Sequence, residues 1–150
     1  MRKVLMVSLL AAAGMAATGL AGAVSAREQI PAEERWWPYS AEIPGCDDPA
    51  VINKIRSRFA EKEATYWQSS LEIVAVDQIR TTAFRPNGLD LIPRRYCVAR
   101  ASLSNQRTSP LYYSVIEGGG MAGYGYGVHF CVAAYDRNRA SAPECKIAKP

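Results

Sequence analysis

Few residues of this chain are of a type that does chemistry, and they are scattered along it. His129 is the single histidine. To act as a base it needs a serine or cysteine nucleophile beside it, and no serine occupies the strand-turn-helix setting of a nucleophile elbow. Asp77 lies among Val74, Val76 and Ile79, surroundings of the kind that shift a carboxyl pKa, although an ion pair with an arginine such as Arg80 is the commoner use of such an acid. Glu61 and Glu63 point in different directions on a helix and are not a catalytic dyad. Gly118, Gly120 and Gly123 spell G-x-G-x-x-G literally. A pyrophosphate cradle needs a helix after that run, whereas Gly127 opens another strand-like segment, so the glycines fit a hairpin that needs positive φ. No cofactor is expected. Cys46, Cys97, Cys131 and Cys145 contain no C-x-x-C spacing and have one histidine to help them, so two disulfides are expected and a metal site is not.

The elements that must position these groups follow from periodicity. Arg94–Leu103, Leu111–Glu117 and Tyr126–Tyr135 are rich in β-branched and aromatic residues and read as antiparallel strands separated by polar or glycine-rich breaks. A first strand precedes them from Leu71 to about Phe84, with Leu71, Ile73, Ala75 and Ile79 on one face and Val74 and Val76 on the other. In the second strand the small apolar set Cys97, Ala99, Ala101 and Leu103 is expected to face a helix. That helix is announced by Asp47-Asp48-Pro49: Asp48 suits the N-cap, and Pro49 suits N1 because its missing N–H costs nothing there. Ile52, Ile55, Phe59 and Tyr66 form its expected apolar stripe, with Lys54, Arg56, Arg58, Glu61, Lys62 and Glu63 on a solvated face and the end near Trp67 to Ser70. The fold class is α+β, one N-terminal helix packed on a four-stranded antiparallel meander and stapled by disulfides. Turn material at Pro86-Asn87-Gly88 brings Cys97 near the end of the first strand, where the start of an antiparallel helix returns Cys46. Cys46 is therefore expected to pair with Cys97, and Cys131, placed toward the opposite end of the sheet, with Cys145.

Residues 1–26 have a signal-peptide layout: the charged start Arg2-Lys3, an uncharged run from Val4 to Val24, and the small residues Val24-Ser25-Ala26. The run is long enough to span a bilayer, but its Ala/Gly-rich composition and small-residue end favour cleavage, with no membrane span left afterwards. Residues 27–46 read as an extended lead-in with Pro31, Pro38 and Pro44, in which an indole of Trp36 or Trp37 is expected over the sheet edge. Residues 47–150 suffice for one domain. Charge is polarised: Arg27 to Ile79 carries 6 basic and 10 acidic side chains, Arg80 to Pro150 carries 10 basic and 4 acidic. A cationic sheet half suits an acidic partner such as an envelope polymer or lipid headgroup, and nucleic acid is not expected for an exported chain. Arg94, Arg95 and Arg100 with the hairpin tyrosines Tyr112, Tyr124 and Tyr126 are the candidate binding residues. Tyr112, Tyr113, Tyr124 and Tyr126 are expected to meet across the hairpin.

The blocks Gly45-Cys46-Asp47-Asp48-Pro49, Arg94-Arg95-Tyr96-Cys97, Val128 to Cys131 and Ala142-Pro143-Glu144-Cys145 together resemble a group of small exported bacterial proteins that carry no assigned activity. The resemblance implies a location outside the cytoplasm and no catalytic residue. The reading is an exported, periplasmic or secreted, non-enzymatic domain that binds an envelope component or a protein partner. The alternative is a ligand-binding or enzymatic helix-on-curved-sheet domain using Asp77 and His129, which requires both to face one cavity.

Overall fold

A computed structural model describes residues 39–86 and 92–150. The signal segment 1–26, the lead-in through Trp36, Trp37 and Pro38, and the turn at Asn87-Gly88 lie outside the described residues. Helix α1 (Pro49–Trp67) is followed by β1 (Ile73–Arg85), β2 (Arg94–Leu103), β3 (Thr108–Glu117) and β4 (Tyr126–Val132), with short 3-10 turns after Gly120 and through the C-terminal segment. The sheet has the order β1-β2-β3-β4 with every pair antiparallel. This is the expected helix on a four-stranded meander. β4 is shorter than expected: it stops at Val132, and Tyr135 lies in a 3-10 turn, edge-on to Phe59 at 6.4 Å.

Helix α1 begins as its sequence dictates, the Asp48 carboxylate accepting from the Ala50 amide at 2.8 Å with Pro49 in the first turn. It ends where Gln68 turns left-handed (φ 48°) and the Ser69 amide closes on the Glu63 carbonyl. The buried row is not the expected stripe. Val51, Ile55, Phe59 and Glu63 face the sheet, Ile52 is half-buried, and Tyr66 is 73% exposed. Residues four apart drift by about 40° per step around a helix, so this row runs obliquely across the sheet and leaves Tyr66 outside it. The basic residues are not simply solvated either. The Lys54 ammonium donates to the Tyr126 carbonyl at 3.1 Å and the Arg58 guanidinium to the Val128 carbonyl at 3.1 Å, capping the edge strand β4, while Arg56 donates to the Ile73 carbonyl at 2.9 Å on β1. Cations that occupy strand carbonyls blunt a sheet edge against further pairing.

On the helix side of the sheet, Cys97, Ala99, Ala101 and Leu103 of β2 pack as expected with Leu111, Tyr113 and Val115 of β3, Val128 and Val132 of β4, and Val51, Ile55 and Phe59 of α1. β1 departs from simple alternation. Its register against β2 shifts between Ile73 and Ala75, between Asp77 and Arg80, and between Thr81 and Ala83. As a result Ile73, Val76 and Ile79 reach the core while Ala75 is exposed, because each bulge consumes a residue and flips the faces that follow.

The two disulfides are Cys46–Cys97 and Cys131–Cys145. The pairing is as expected, but the separation is by face and not by end. Cys97 is level with Tyr113 and Phe130, so Cys131 is in the adjacent row. What divides them is the pleat: Cys97 joins the helix-side core, and Cys131 joins Cys145, Ala148 and Tyr112 on the other face. Two intramolecular bridges and no free cysteine place the chain in an oxidising compartment. No helix among the described residues is long and apolar enough to cross a membrane.

Candidate functional site

Asp77 and His129 do not come together. Asp77 is on β1 and His129 on β4, the two outer strands. The Asp77 carboxylate accepts from Arg100, its cross-strand partner, at 2.9 Å rather than from Arg80, with both side chains about half exposed. Such a pair fixes the two groups but adds little stability. His129 is directly opposite Ser114, a juxtaposition that the sequence does not announce. It makes no nucleophile: Ser114 is 0% exposed with its Oγ unpartnered, and no hydrogen bond joins His129 to a carboxylate among the described residues. Cys131, Asp136 and Cys145 converge, but both sulfurs are in the disulfide and Asp136 accepts from the Ser141 amide at 3.0 Å, so the cluster offers no ligand set.

The candidate binding residues divide. Arg100 is taken by Asp77, and Tyr112 lies beneath the Lys149 ammonium at 4.3 Å on the face covered by the C-terminal turn. Nor do the tyrosines meet across the hairpin: Tyr112 is opposite Cys131, Tyr113 is buried opposite Phe130, and Tyr126 is opposite Glu117, because alternate residues take opposite faces. Arg94, Arg95 and Tyr126 lie at one end of the sheet, where Arg85, Arg94, Ile116 and Gly127 form one row and Tyr124 is in the adjoining hairpin, although Arg94 and Arg95 are on opposite faces. There the cations lie on aromatic faces: Arg95 over Phe84 at 4.5 Å, Arg85 over Tyr96 at 5.6 Å, Lys54 over Tyr126 at 4.4 Å. Arg95 also donates to the Pro44 carbonyl at 3.1 Å.

The glycine hairpin shapes this end. Gly118, Gly123 and Gly125 have φ of 64°, 82° and 65°, and a Cβ on Gly127 would collide with the Gly119 carbonyl, so the backbone folds back in a way that side chains forbid. The turn lifts Met121 to 91% exposure and Tyr124 to 64%. The Tyr39 ring lies over Gly118, and the segment before α1 is tied down by Glu117, whose carboxylate accepts from the Ser40 amide and hydroxyl at 3.0 Å each and from the Ala41 amide at 2.8 Å. Tyr39 and Phe84 are exposed at the same end. Sequence reasoning missed Met121, Tyr39, Phe84, Arg85 and Lys54. Met121 alone, an apolar residue inside a glycine run, gave a local signal.

A second concavity lies between α1, β4 and the C-terminal segment. It is an open groove of about 510 Å³ whose lining includes Arg58, Lys62, Tyr66, His129, Phe130 and Ile147. The His129 imidazole is held below its ordinary value of 6.5, first by burial of the ring and then by the nearby charges of Arg94 and Arg58.

In comparisons with known proteins, no family model, no curated protein and no solved structure matched the chain.

Proposed function

We propose that this is an exported, non-enzymatic binding domain, periplasmic or secreted, that docks by the hairpin end of its sheet on the anionic surface of a membrane in the cell envelope. The observation that carries the reading is the company kept at that end: Met121, Tyr124, Tyr39 and Phe84 are exposed there, beside exposed Arg85 and half-buried Lys54 and Arg95. Apolar and aromatic side chains that enter a headgroup layer gain about 1.5–3 kcal/mol each on full burial. Each cation near an anionic leaflet adds about 1 kcal/mol. Glu117, the acid at this end of β3, spends its carboxylate on Ser40 and Ala41. The signal-peptide layout and the resemblance to small exported bacterial proteins fit this location.

The test is co-sedimentation of the mature, oxidised chain with vesicles of phosphatidylglycerol and phosphatidylethanolamine, compared with phosphatidylcholine alone. The anionic vesicles are expected to retain the protein and to release it at high salt. Met121→Asp combined with Tyr124→Asp is expected to weaken retention about a hundredfold, as roughly 3 kcal/mol of apolar burial is lost. Arg100→Ala, at the far end of β2, is expected to leave it unchanged. Retention that is equal on both vesicle types, or capture by an envelope protein with both vesicle types left unbound, would overturn membrane docking.

A further inference from the structure

The large hydrophobic side chains exposed among the described residues fall into two patches, with Val74 apart from both. Tyr39, Phe84, Met121 and Tyr124 belong to the hairpin end. Tyr66 and Ile147 belong to the groove beside β4. That groove has a volume within the roughly 300–1,000 Å³ range of small-molecule clefts, and its lining is of two kinds. Arg58 and Lys62, one helical turn apart on α1, are cationic and share the groove with His129 of β4. Tyr66, one turn further along α1, Phe130 of β4 and Ile147 of the C-terminal segment supply apolar surface.

We propose that this groove is a binding site, separate from the docking end, for a small amphipathic anion. Its carboxylate or phosphate head lies against Arg58, Lys62 and His129, and its hydrocarbon body covers Tyr66, Phe130 and Ile147. Arg58 has one guanidinium nitrogen engaged with the Val128 carbonyl at 3.1 Å, which anchors the side chain at the rim while its other N–H groups remain able to donate. Lys62 has no ion pair or hydrogen bond among the described residues. The charged and titratable groups that line the groove with His129 are Arg58, Glu61, Lys62 and Tyr66 from α1, Arg94 of β2 also acts on the imidazole, and Ala140, Ser141 and Ile147 of the C-terminal segment bring no charge. Cations outnumber the single acid, Glu61, and the same cations that depress His129 attract an anion. The apolar surface adds what a phosphate alone cannot use, because Tyr66 and Ile147 are left open to water.

His129 is the sole imidazole, so one Hε1 resonance reports the site. The experiment follows that signal in the mature, oxidised protein while it is titrated with monomeric decanoate, decyl phosphate or inorganic phosphate. Decanoate, decyl phosphate or both are expected to shift it saturably and to raise the His129 pKa, since a bound anion favours the imidazolium. The two arms show which head is preferred. Lys62→Glu, a change at a half-buried position on α1, is expected to weaken binding about tenfold by reversing one charge contact. Ile147→Ser is expected to weaken both decyl ligands and leave inorganic phosphate unaltered. No saturable shift with either decyl ligand, equal binding by inorganic phosphate, or a Lys62→Glu titration indistinguishable from the parent would each overturn the proposal. Membrane docking is read by vesicle retention and does not depend on this outcome.

Discussion

On the helix side of the sheet, α1 presses Val51, Ile55 and Phe59 into a core shared with β1 to β4, and Cys46–Cys97 is buried within it. On the opposite side the C-terminal segment covers only part of the sheet, with Cys131, Cys145 and Ala148 as its buried cluster and Tyr112 packed against it. One face is held by volume and reinforced by sulfur. The other is held by sulfur, and its attachment to the rest of the fold gains one ion pair, Arg137 with Glu63. The groove proposed as a ligand site has a wall on that second, thinner layer, through Ala140, Ser141 and Ile147. The core face is therefore expected to set global stability and the tail face the integrity of the groove.

Separate removal of the two bridges is expected to have the largest effect. The Cys46–Cys97 bridge spans 51 residues and the Cys131–Cys145 bridge 14, for which chain entropy gives about 4 and about 3 kcal/mol. Cys46→Ala with Cys97→Ala is expected to lower the global unfolding free energy by about 4 kcal/mol in urea melts. Cys131→Ala with Cys145→Ala is expected to lower it less, and to remove amide hydrogen-exchange protection selectively from residues 137–148 while β2 and β3 keep theirs. Equal and uniform losses in the two variants would mean that the tail belongs to the same cooperative unit as the core.

The ion pair sharpens the contrast because its partners are unequally buried. The Glu63 side chain is 2% exposed and that of Arg137 36%, with a nitrogen–oxygen distance of 2.9 Å, and the Arg137 guanidinium also lies over Trp67 at 4.9 Å. Arg137→Met leaves a carboxylate enclosed without its counter-charge and is expected to cost about 3 kcal/mol. Glu63→Gln leaves a cation that water already reaches, and about 1 kcal/mol is expected. Urea melts of the two variants check the order, and a costlier Glu63→Gln would show that Arg137 depends on the pair more than Glu63 does.

The parts legible in the sequence are those whose signals are local. Asp48-Pro49 marks the helix start because the capping carboxylate and the proline act within one turn. The small residues of β2 identify its helix-facing side, and an even cysteine count announces two bridges, although what divides them is the pleat and not the end of the sheet. What escaped depends on partners distant in sequence. Glu63 reads as a surface acid until Arg137, 74 residues away, arrives beside it. The β1 bulges have no residue signature that a propensity argument would find, so the faces assigned to Ala75 and Val76 were exchanged. Lys54 and Arg58 look like solvated charges because their acceptors are backbone carbonyls, which every residue possesses. The site was read less well than the fold for the same reason. Arg94, Arg95, Tyr124 and Tyr126, candidates by residue type, share one end of the sheet, whereas Arg100 and Tyr112, candidates by the same criterion, lie elsewhere. The groove needed the C-terminal segment folded back through Cys145 before it existed at all.

The smallest expected effect is at the centre of the core face. Tyr113 is fully enclosed, and its hydroxyl donates to the Cys46 carbonyl at 2.6 Å. Burial, and secondarily the negative charge of Asp47, push this phenol well above its ordinary value of 10.0. Above about pH 10 the unfolded chain releases this proton while the folded chain retains it. The native state then binds more protons than the unfolded state, and stability falls as pH rises. Tyr113→Phe is expected to cost about 1 kcal/mol at neutral pH by leaving the Cys46 carbonyl without its donor, and to flatten the alkaline limb because the titrating group is gone. Urea midpoints at about pH 7 and about pH 11, on either side of the ordinary tyrosine value, measure both parts at once. A variant that loses as much stability between those two pH values as the parent would assign the alkaline loss to another group and leave Tyr113 with packing alone.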